Sequence, residues 1–371
     1  MNDSFPQSTL LPRLTPIRVL IVEDSQIALV LLKRILDASP RVEVVGTART
    51  GLEALSLIPT VDPDVICTDL HMPHMNGLEF THEVMTRYPR PILVVSASVQ
   101  ADDTHHIFQV LEAGAVDIFP KPVAGLIADD QQFNQQLIDR IEILSGVKVF
   151  TKRRKPSLQS AHLSGNDRAG YRVNSAFKPE IVGIGASTGG PQALQELLSQ
   201  LPANFPLPII CVQHICSGFL QGLINWLASS CPLPIQIAQP GERPEPGQVY
   251  FPPERKHLGL DAQGRFKCHY LPAVDGHRPS VTVTFQSIAQ FYGNHTVGIL
   301  LTGMGRDGAD GMQAIAESGG YTIAQDEATS VVFGMPREAI KLGAVQRVLP
   351  IQTIAPTLLT LIQAALAQRS E

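Results

Sequence analysis

Residues 19–24 read VLIVED, an apolar run Val19–Val22 that stops at two carboxylates, Glu23 and Asp24. A short, fully apolar run with a polar end reads as a strand buried on both faces, the kind found in parallel sheets. Similar runs follow at Val42–Val45, Val65–Cys67, Ile92–Val95 and Val116–Phe119. Helical patterns separate them, over Ser25–Ala38, Gly51–Ile58, Gly77–Tyr88 and Thr104–Ala113. A further pattern from about Gln131 to Leu144 sets Phe133, Leu137, Ile138, Ile141 and Leu144 on one face. This alternation predicts a five-stranded, doubly wound parallel α/β sheet.

The alternation lapses over residues 146–177, where the basic run Lys152–Lys155 is followed by Ser, Gly and Asn without periodicity. Such a stretch is expected to be an interdomain linker. From Lys178 strand and helix alternate again: strands at Ile181–Gly185, Pro208–Gln213, Val297–Thr302 and Tyr321–Gln325. Helices are expected over Gln192–Gln200, Phe219–Ser229, Ser280–Tyr292, Gly308–Ser318, Met335–Leu342 and Ile354–Ala367. The Pro- and Gly-rich stretch Pro240–His269 reads as short strands and turns. The expected organisation is a loose arm over 1–16, a first domain over 17–145, a linker over 146–177, and a second, doubly wound, mainly parallel α/β domain with β decoration over 178–371.

Composition agrees. A chain of 371 residues suits two domains. With 44% hydrophobic and 17% charged residues it is not a disordered chain. A net charge of −5 excludes a broad basic surface for nucleic acid. No apolar run approaches a membrane span, and the N-terminus lacks the pattern of a signal peptide. Five cysteines, with no C-x-x-C pair, argue against a disulfide framework or a zinc knuckle. A cytoplasmic protein with no membrane insertion is expected.

Strand ends carry the chemistry. Glu23-Asp24 end the first strand, Asp69 (in DLHMP) the third and Ser96 (in VVSAS) the fourth, and Lys121-Pro122 follow the fifth. In a parallel sheet these ends open on one edge, where open α/β folds bind ligands. Crowded carboxylates repel one another. A hard divalent cation such as Mg2+ relieves that, and the cation and a lysine would neutralise a phosphoryl group arriving on a carboxylate. In this combination the residues resemble the response-regulator receiver family over Ile17–Ser145, which has a flavodoxin-like fold. The resemblance implies Asp69 as phospho-acceptor and Glu23, Asp24 and Asp69 around Mg2+, with the backbone carbonyl of His71 lent to the metal. It also implies that Ser96 contacts the phosphoryl group and that Lys121 is its counter-ion. Glu23 stands where many members have Asp, and Phe119 falls near the usual aromatic switch position.

In the second domain residues 181–191 read IVGIGASTGGP, a strand, a glycine-rich turn and a helix start. Gly183-x-Gly185-x-x-x-Gly189 is a loose dinucleotide fingerprint, and Gly185-x-Ser187-x-Gly189 is a nucleophile elbow. A ribose needs an acidic residue at the next strand end, and Gln213-His214 stand there instead, which favours the serine reading. Asp307, in LTGMGRDGADG, lies after a third strand. Ser187, His214 and Asp307 then supply a nucleophile, a base and its orienting carboxylate. Backbone N–H groups after the serine would bind an oxyanion. Asp307 as a cap for the helix at Gly308, and Asp310 in its place, are the bland alternatives.

The motifs GASTGGPQAL, VQHI, HRPSV, LTGMGRDGADGM and VVFGMPREAI resemble the CheB family of chemotaxis protein-glutamate methylesterases, over about Lys178–Leu349. The resemblance implies a phosphorylation-regulated hydrolase that cleaves glutamate γ-methyl esters on methyl-accepting chemoreceptors, with deamidation of receptor glutamines as well. It maps the triad to Ser187, His214 and Asp307, sets Thr188 beside the nucleophile and Met304 on the oxyanion side, and puts His277 and Arg278 in the surroundings. It also implies that no cofactor serves the esterase, that Mg2+ serves the receiver alone, and that the phosphodonor is a chemotaxis histidine kinase. The receiver is expected to restrain the catalytic edge until Asp69 is phosphorylated. A phospho-controlled docking module without chemistry, and a nucleotide-linked oxidoreductase, are the competing classes.

Overall fold

A computed structural model describes residues 15–97, 103–122, 130–147, 149 and 177–367. Nearly all of the expected arm and linker, with the run Lys152–Lys155, lies outside them. The chain forms two compact units: one holds most of the five-stranded sheet, and the other holds the seven-stranded sheet together with residues 103–112 and 116–118.

The first part runs β1 (Ile17–Val22), α1 (Gln26–Asp37), β2 (Val42–Ala48), α2 (Gly51–Val61), β3 (Val65–Thr68), α3 (Gly77–Arg87), β4 (Ile92–Ser96), α4 (Asp103–Ala113), β5 (Asp117–Pro120) and α5 (Gln131–Ser145). Sheet order is β2-β1-β3-β4-β5, and β1 pairs in parallel with β2 and β3, as β3 does with β4. The order reverses between β1 and β3, so the crevice opens over Glu23 and Asp69. Val19, Leu20 and Ile21 are fully buried, as a central strand demands. Ser25 caps α1 by accepting from the Ala28 N–H. Asn76 and Glu79 form a reciprocal capping box at the start of α3.

Gly77, the first residue of α3, sits against the loop that carries Asp69. A Cβ there would lie 2.4 Å from the Asp69 carbonyl oxygen and 2.9 Å from the Leu70 Cα. Both are backbone atoms and cannot rotate away. Gly77→Ala is therefore expected to destabilise the first unit by about 1–3 kcal/mol, read as an earlier thermal transition of the intact chain. An unchanged midpoint would show that the loop yields freely.

The second part runs β6 (Ile181–Ala186), α6 (Gly190–Leu198), β7 (Ile209–Gln213), α7 (Leu220–Ala228), β8 (Ile235–Ile237), β9 (Val249–Phe251), β10 (His257–Leu260), β11 (Phe266–His269), α8 (Val281–Tyr292), β12 (Thr296–Leu300), α9 (Ala309–Glu317), β13 (Tyr321–Gln325), α10 (Met335–Lys341), β14 (Arg347–Leu349) and α11 (Ile351–Ala367). A seven-stranded sheet has the order β14-β13-β12-β6-β7-β9-β8, and its paired strands are parallel throughout. The antiparallel pair β10–β11 is the decoration. The chain leaves β6 to one side for β7 and returns to the other side at β12, so the switch point lies between β6 and β12. Strands β8 and β14 lie outside the expected set, and β9, from the stretch Pro240–His269 read as short strands, joins the main sheet. Each has three residues, too few to show a period.

The glycines of β6 have a packing reason. A Cβ at Gly183 would lie 2.6 Å from the Ile288 side chain, and one at Gly185 only 2.3 Å from Val281. Helix α8 thus lies directly on β6, which accounts for the G-x-G spacing without a nucleotide.

Candidate active site

At the first crevice, the Lys121 Nζ lies 2.8 Å from Glu23 Oε1 and 2.7 Å from Asp69 Oδ2. Asp69 Oδ1 accepts from the Leu70 N–H at 2.6 Å, and the Lys121 N–H donates to the Ser96 carbonyl at 2.8 Å. The second bond pins the loop after β5 to the end of β4. Ser96 is buried there. Burial pushes the Glu23 and Asp69 carboxyls above the ordinary carboxylate range, against the pull of Lys121. Burial lowers the Lys121 pKa, but its hydrogen bonds to Asp69 and Glu23 outweigh that and raise it. One ligand oxygen each from Glu23, Asp24 and Asp69 falls within 4.8 Å of the others. Glu23 Oε2 is buried with no hydrogen-bond partner. Three hard oxygen donors, one of them orphaned, against a single lysine fit a divalent cation. His71 follows Asp69 by two residues, on the same β3–α3 segment. Phe119 is buried and packs on Phe133, ring centroids 5.0 Å apart.

At the second crevice, the ends of β6, β7 and β12 bring Ser187, His214 and Asp307 to one sheet edge. Ala186 pairs with Gln213 in register, so Ser187 and His214 follow on adjacent strands. All three residues are buried. His214 Nε2 lies 2.8 Å from Asp307 Oδ2. Its Nδ1 is buried with no hydrogen-bond partner. The carboxylate calls for a proton on Nε2, which leaves Nδ1 as the basic nitrogen. Among the described residues no hydrogen bond joins Ser187 Oγ to it.

Asp307 does not cap its own helix. Its Oδ1 accepts from Ser280 Oγ at 2.7 Å and the Thr282 N–H at 3.0 Å, and its Oδ2 from the Val281 N–H at 2.8 Å. It therefore sits on the N-terminus of α8, where a negative charge is favoured. Burial opposes its ionisation, but His214, the Thr282 N–H and Ser280 overcome that and hold the carboxyl far below the usual range. Asp310 is not a substitute, since it pairs with Arg306.

Three loops interlock round the serine. The Ser187 N–H donates to the Thr302 carbonyl at 3.0 Å. Thr302 Oγ1 donates to the Thr188 carbonyl at 3.0 Å and accepts from the Val332 N–H at 2.9 Å. A Cβ on Gly303 would lie 2.7 Å from Ser187 Cβ and 2.3 Å from Met335 Sδ. The Gly303–Met304 backbone thus passes directly over the nucleophile. The Gly303 N–H is committed to the Val332 carbonyl at 2.9 Å.

Several contacts round the site escape the sequence reading, which sets His277 only in the surroundings. Gln213 Nε2 donates to the carbonyls of both Ser187 and His214, each at 2.8 Å, and so ties nucleophile to base. Gln325 Oε1 accepts from the Thr302 N–H at 2.8 Å. His257 accepts from the Ser280 N–H through Nδ1 and meets the Pro272 carbonyl through Nε2, which anchors the segment leading into α8. The His277 ring stacks on His214, centroids 3.6 Å apart and planes within 5°. Its signal was legible: Asp275 and Gly276 both have positive φ between the paired Val274 and His277, the Asp-Gly pattern of a two-residue hairpin turn.

Comparisons with known proteins identify the family. The CheB methylesterase family model matches residues 182–358 and the response regulator receiver domain model matches 19–125. A Nitrosospira multiformis protein named protein-glutamate methylesterase/protein-glutamine glutaminase is 39% identical over 96% of this chain and 98% of its own. One of the same name, numbered 2, from Anaeromyxobacter dehalogenans is 43% identical over 91% and 95%. Among solved structures, the Thermotoga maritima CheB methylesterase catalytic domain is 40% identical, covers 50% of this chain and 98% of its own, and has a TM-score of 0.48. The response regulator domain of Thermotoga maritima CheB is 33% identical over 36% and 98%, with a TM-score of 0.31. With relatives this similar along nearly its whole length, the chain belongs to the CheB family of protein-glutamate methylesterases/protein-glutamine glutaminases.

Proposed function

We propose that the chain hydrolyses glutamate γ-methyl esters of methyl-accepting chemoreceptors to glutamate and methanol, under control of a receiver over residues 17–145. The catalytic domain spans 178–371, joined through a linker over 146–177. The observation that carries this reading is the His214–Asp307 pair at 2.8 Å beside Ser187 on the switch-point edge. Ser187 Oγ attacks the ester carbonyl as its proton passes to His214 Nδ1. The Met304 N–H and the N–H groups after Ser187 stabilise the oxyanion. The imidazolium, held by Asp307, protonates the leaving methoxide as methanol and leaves an acyl-serine. Water then adds, again deprotonated by His214, and collapse releases the γ-carboxylate and free Ser187. A receptor glutamine follows the same course with ammonia leaving.

Asp69 accepts a phosphoryl group from a chemotaxis histidine kinase. Glu23, Asp24, Asp69 and the His71 carbonyl would hold Mg2+, which when bound neutralises the charge of the transferring group. Lys121 and Ser96 then contact the phosphoryl oxygens. The cysteines are all free, which suits a reducing cytoplasm. No helix among the described residues is long and apolar enough to cross a membrane.

Methanol release from methylated receptor membranes, with and without a small phosphodonor plus Mg2+, tests the regulation. Release should rise with phosphodonor in the wild type and stay at the basal level in Asp69→Asn. A variant that still responds would remove Asp69 from its role. Mg2+ alone should raise the thermal midpoint of the first unit. That shift should vanish in Asp24→Asn, because binding to the folded state alone stabilises it. An equal shift in both proteins would place the cation elsewhere.

A further inference from the structure

A pocket opens beside the triad, between the β7–α7 loop and the β9–β10 loop, walled by Gln213, Ser217, Glu254, Arg255, Arg278 and Pro279. It shares its walls with the reaction centre. Gln213 precedes His214 and holds the Ser187 carbonyl. Arg278 follows His277, whose ring lies on that of His214. The ester chemistry uses neither arginine.

The pocket is lined by two arginines against one carboxylate. Arg255 spends Nε on Ser217 Oγ at 2.9 Å, and Arg278 spends Nη1 on the Tyr270 and Leu271 carbonyls at 3.4 and 3.3 Å. Neither has an ion pair among the described residues, nor does Lys256 next to Arg255, whose ammonium lies 5.1 Å from the centre of the Tyr270 ring. Glu254 is the acid among the lining residues, and its Oε1 is engaged in accepting from the Gly218 and Leu220 N–H groups at 2.7 and 3.3 Å. Yet acids outnumber bases in the chain, 34 to 29. Two guanidinium forks with donors to spare, in a concave site, match a planar carboxylate.

We propose that this pocket is a substrate subsite in which Arg255 and Arg278 bind the carboxylate of an acidic side chain flanking the modified glutamate, and so seat the ester carbonyl over Ser187. The inference rests on the esterase reading above. A polypeptide acid is favoured over a free anion because one wall of the pocket, Gln213, also holds the carbonyl of the nucleophile that must receive the neighbouring residue.

The test is steady-state methanol release by the full-length protein, comparing wild type with Arg255→Gln/Arg278→Gln. Each is assayed on methylated receptors and on receptors whose flanking acids are changed to glutamine. On native receptors the double variant should show a KM raised about tenfold or more, with the loss carried by KM rather than kcat. On neutralised receptors the two enzymes should converge, because the lost partner is the same. Arg→Lys replacements should restore only part of the affinity, since they keep the charge and lose the fork. An equal loss on both receptors, or none, would overturn the subsite. So would competitive inhibition by millimolar free glutamate or phosphate that disappears in the variant without any receptor coupling, which would make the pocket a small-anion site. If the wild type releases no methanol from any receptor, the esterase reading itself fails, which is a different result from normal release without coupling.

Discussion

Ser187→Ala is expected to lower methanol release by about 10⁴-fold or more, with and without phosphodonor, while leaving the fold intact. The fold argument comes from what the hydroxyl does not do. The Ser187 loop is held by its backbone: the N–H to Thr302, and the carbonyl to Gln213 Nε2 and the Gly190 N–H. The hydroxyl itself supplies no hydrogen bond to that cage among the described residues. Its removal should therefore change stability by no more than about 0.5 kcal/mol. The catalytic argument is that the serine stands at the elbow beside His214, while the neighbouring hydroxyls of Ser280 and Thr302 are spent on Asp307 and the Thr188 carbonyl. Without Ser187, His214 could still activate water and the oxyanion donors would remain, so a small residual rate is expected. Phosphorylation of Asp69 should proceed as in the wild type, because that chemistry lies on the other sheet. Methanol release within tenfold of the wild type, with Asp69 normally phosphorylated, would mean that the serine is not the nucleophile. The elbow would then be a docking surface or a seat for activated water.

The parts of the molecule that could be read in the sequence are those where chemistry and chain order coincide. Runs such as Val19–Val22 and Ile209–Gln213 end at the candidate site residues, so locating the strand locates the candidate site. Glu23, Asp24, Asp69 and Lys121 meet because parallel strands share one open edge. What stayed hidden depends on contacts through space. Asp307 precedes α9, so local pattern suggests a cap for that helix. Besides His214, which the sequence reading expected, its partners lie 25 to 27 residues earlier, at the start of α8. Gln213 spoke in sequence only against a ribose-binding acid, and nothing local says that its amide bridges two carbonyls. The G-x-G of β6 carries two meanings in sequence, and α8 lying on it decides between them. The choice of His214 nitrogen is likewise a matter of ring orientation, which no spacing encodes.

The position of Asp307 makes its replacement the most damaging change after that of the serine, and for two separable reasons. Its two oxygens take four donors: Ser280 Oγ and the Thr282 N–H on one, the Val281 N–H and His214 Nε2 on the other. Asparagine keeps the shape but turns one acceptor into a donor. If the amide NH2 faces His214, it meets the Val281 N–H and forces the ring to carry its proton on Nδ1, which destroys the base. If it faces Ser280, the hydroxyl can rotate to accept, but the Thr282 N–H loses its partner and the imidazolium loses its counter-charge. In both cases kcat should fall by about 10³–10⁴-fold, with KM little changed. One buried donor left unpaired should cost about 1–3 kcal/mol of stability. The pH dependence separates charge from shape. The folded-state pKa of Asp307 is depressed below its ordinary value of 3.8. Its ionisation therefore stabilises the fold fully above that value, and the contribution is lost as pH falls through the lower, folded-state value. Urea midpoints of wild type and Asp307→Asn should differ most at neutral pH and converge as the pH drops below 3.8. A gap that stays constant into that range would assign the loss to packing alone. A variant retaining more than about a tenth of the wild-type kcat would show that His214 needs no carboxylate to act as the base.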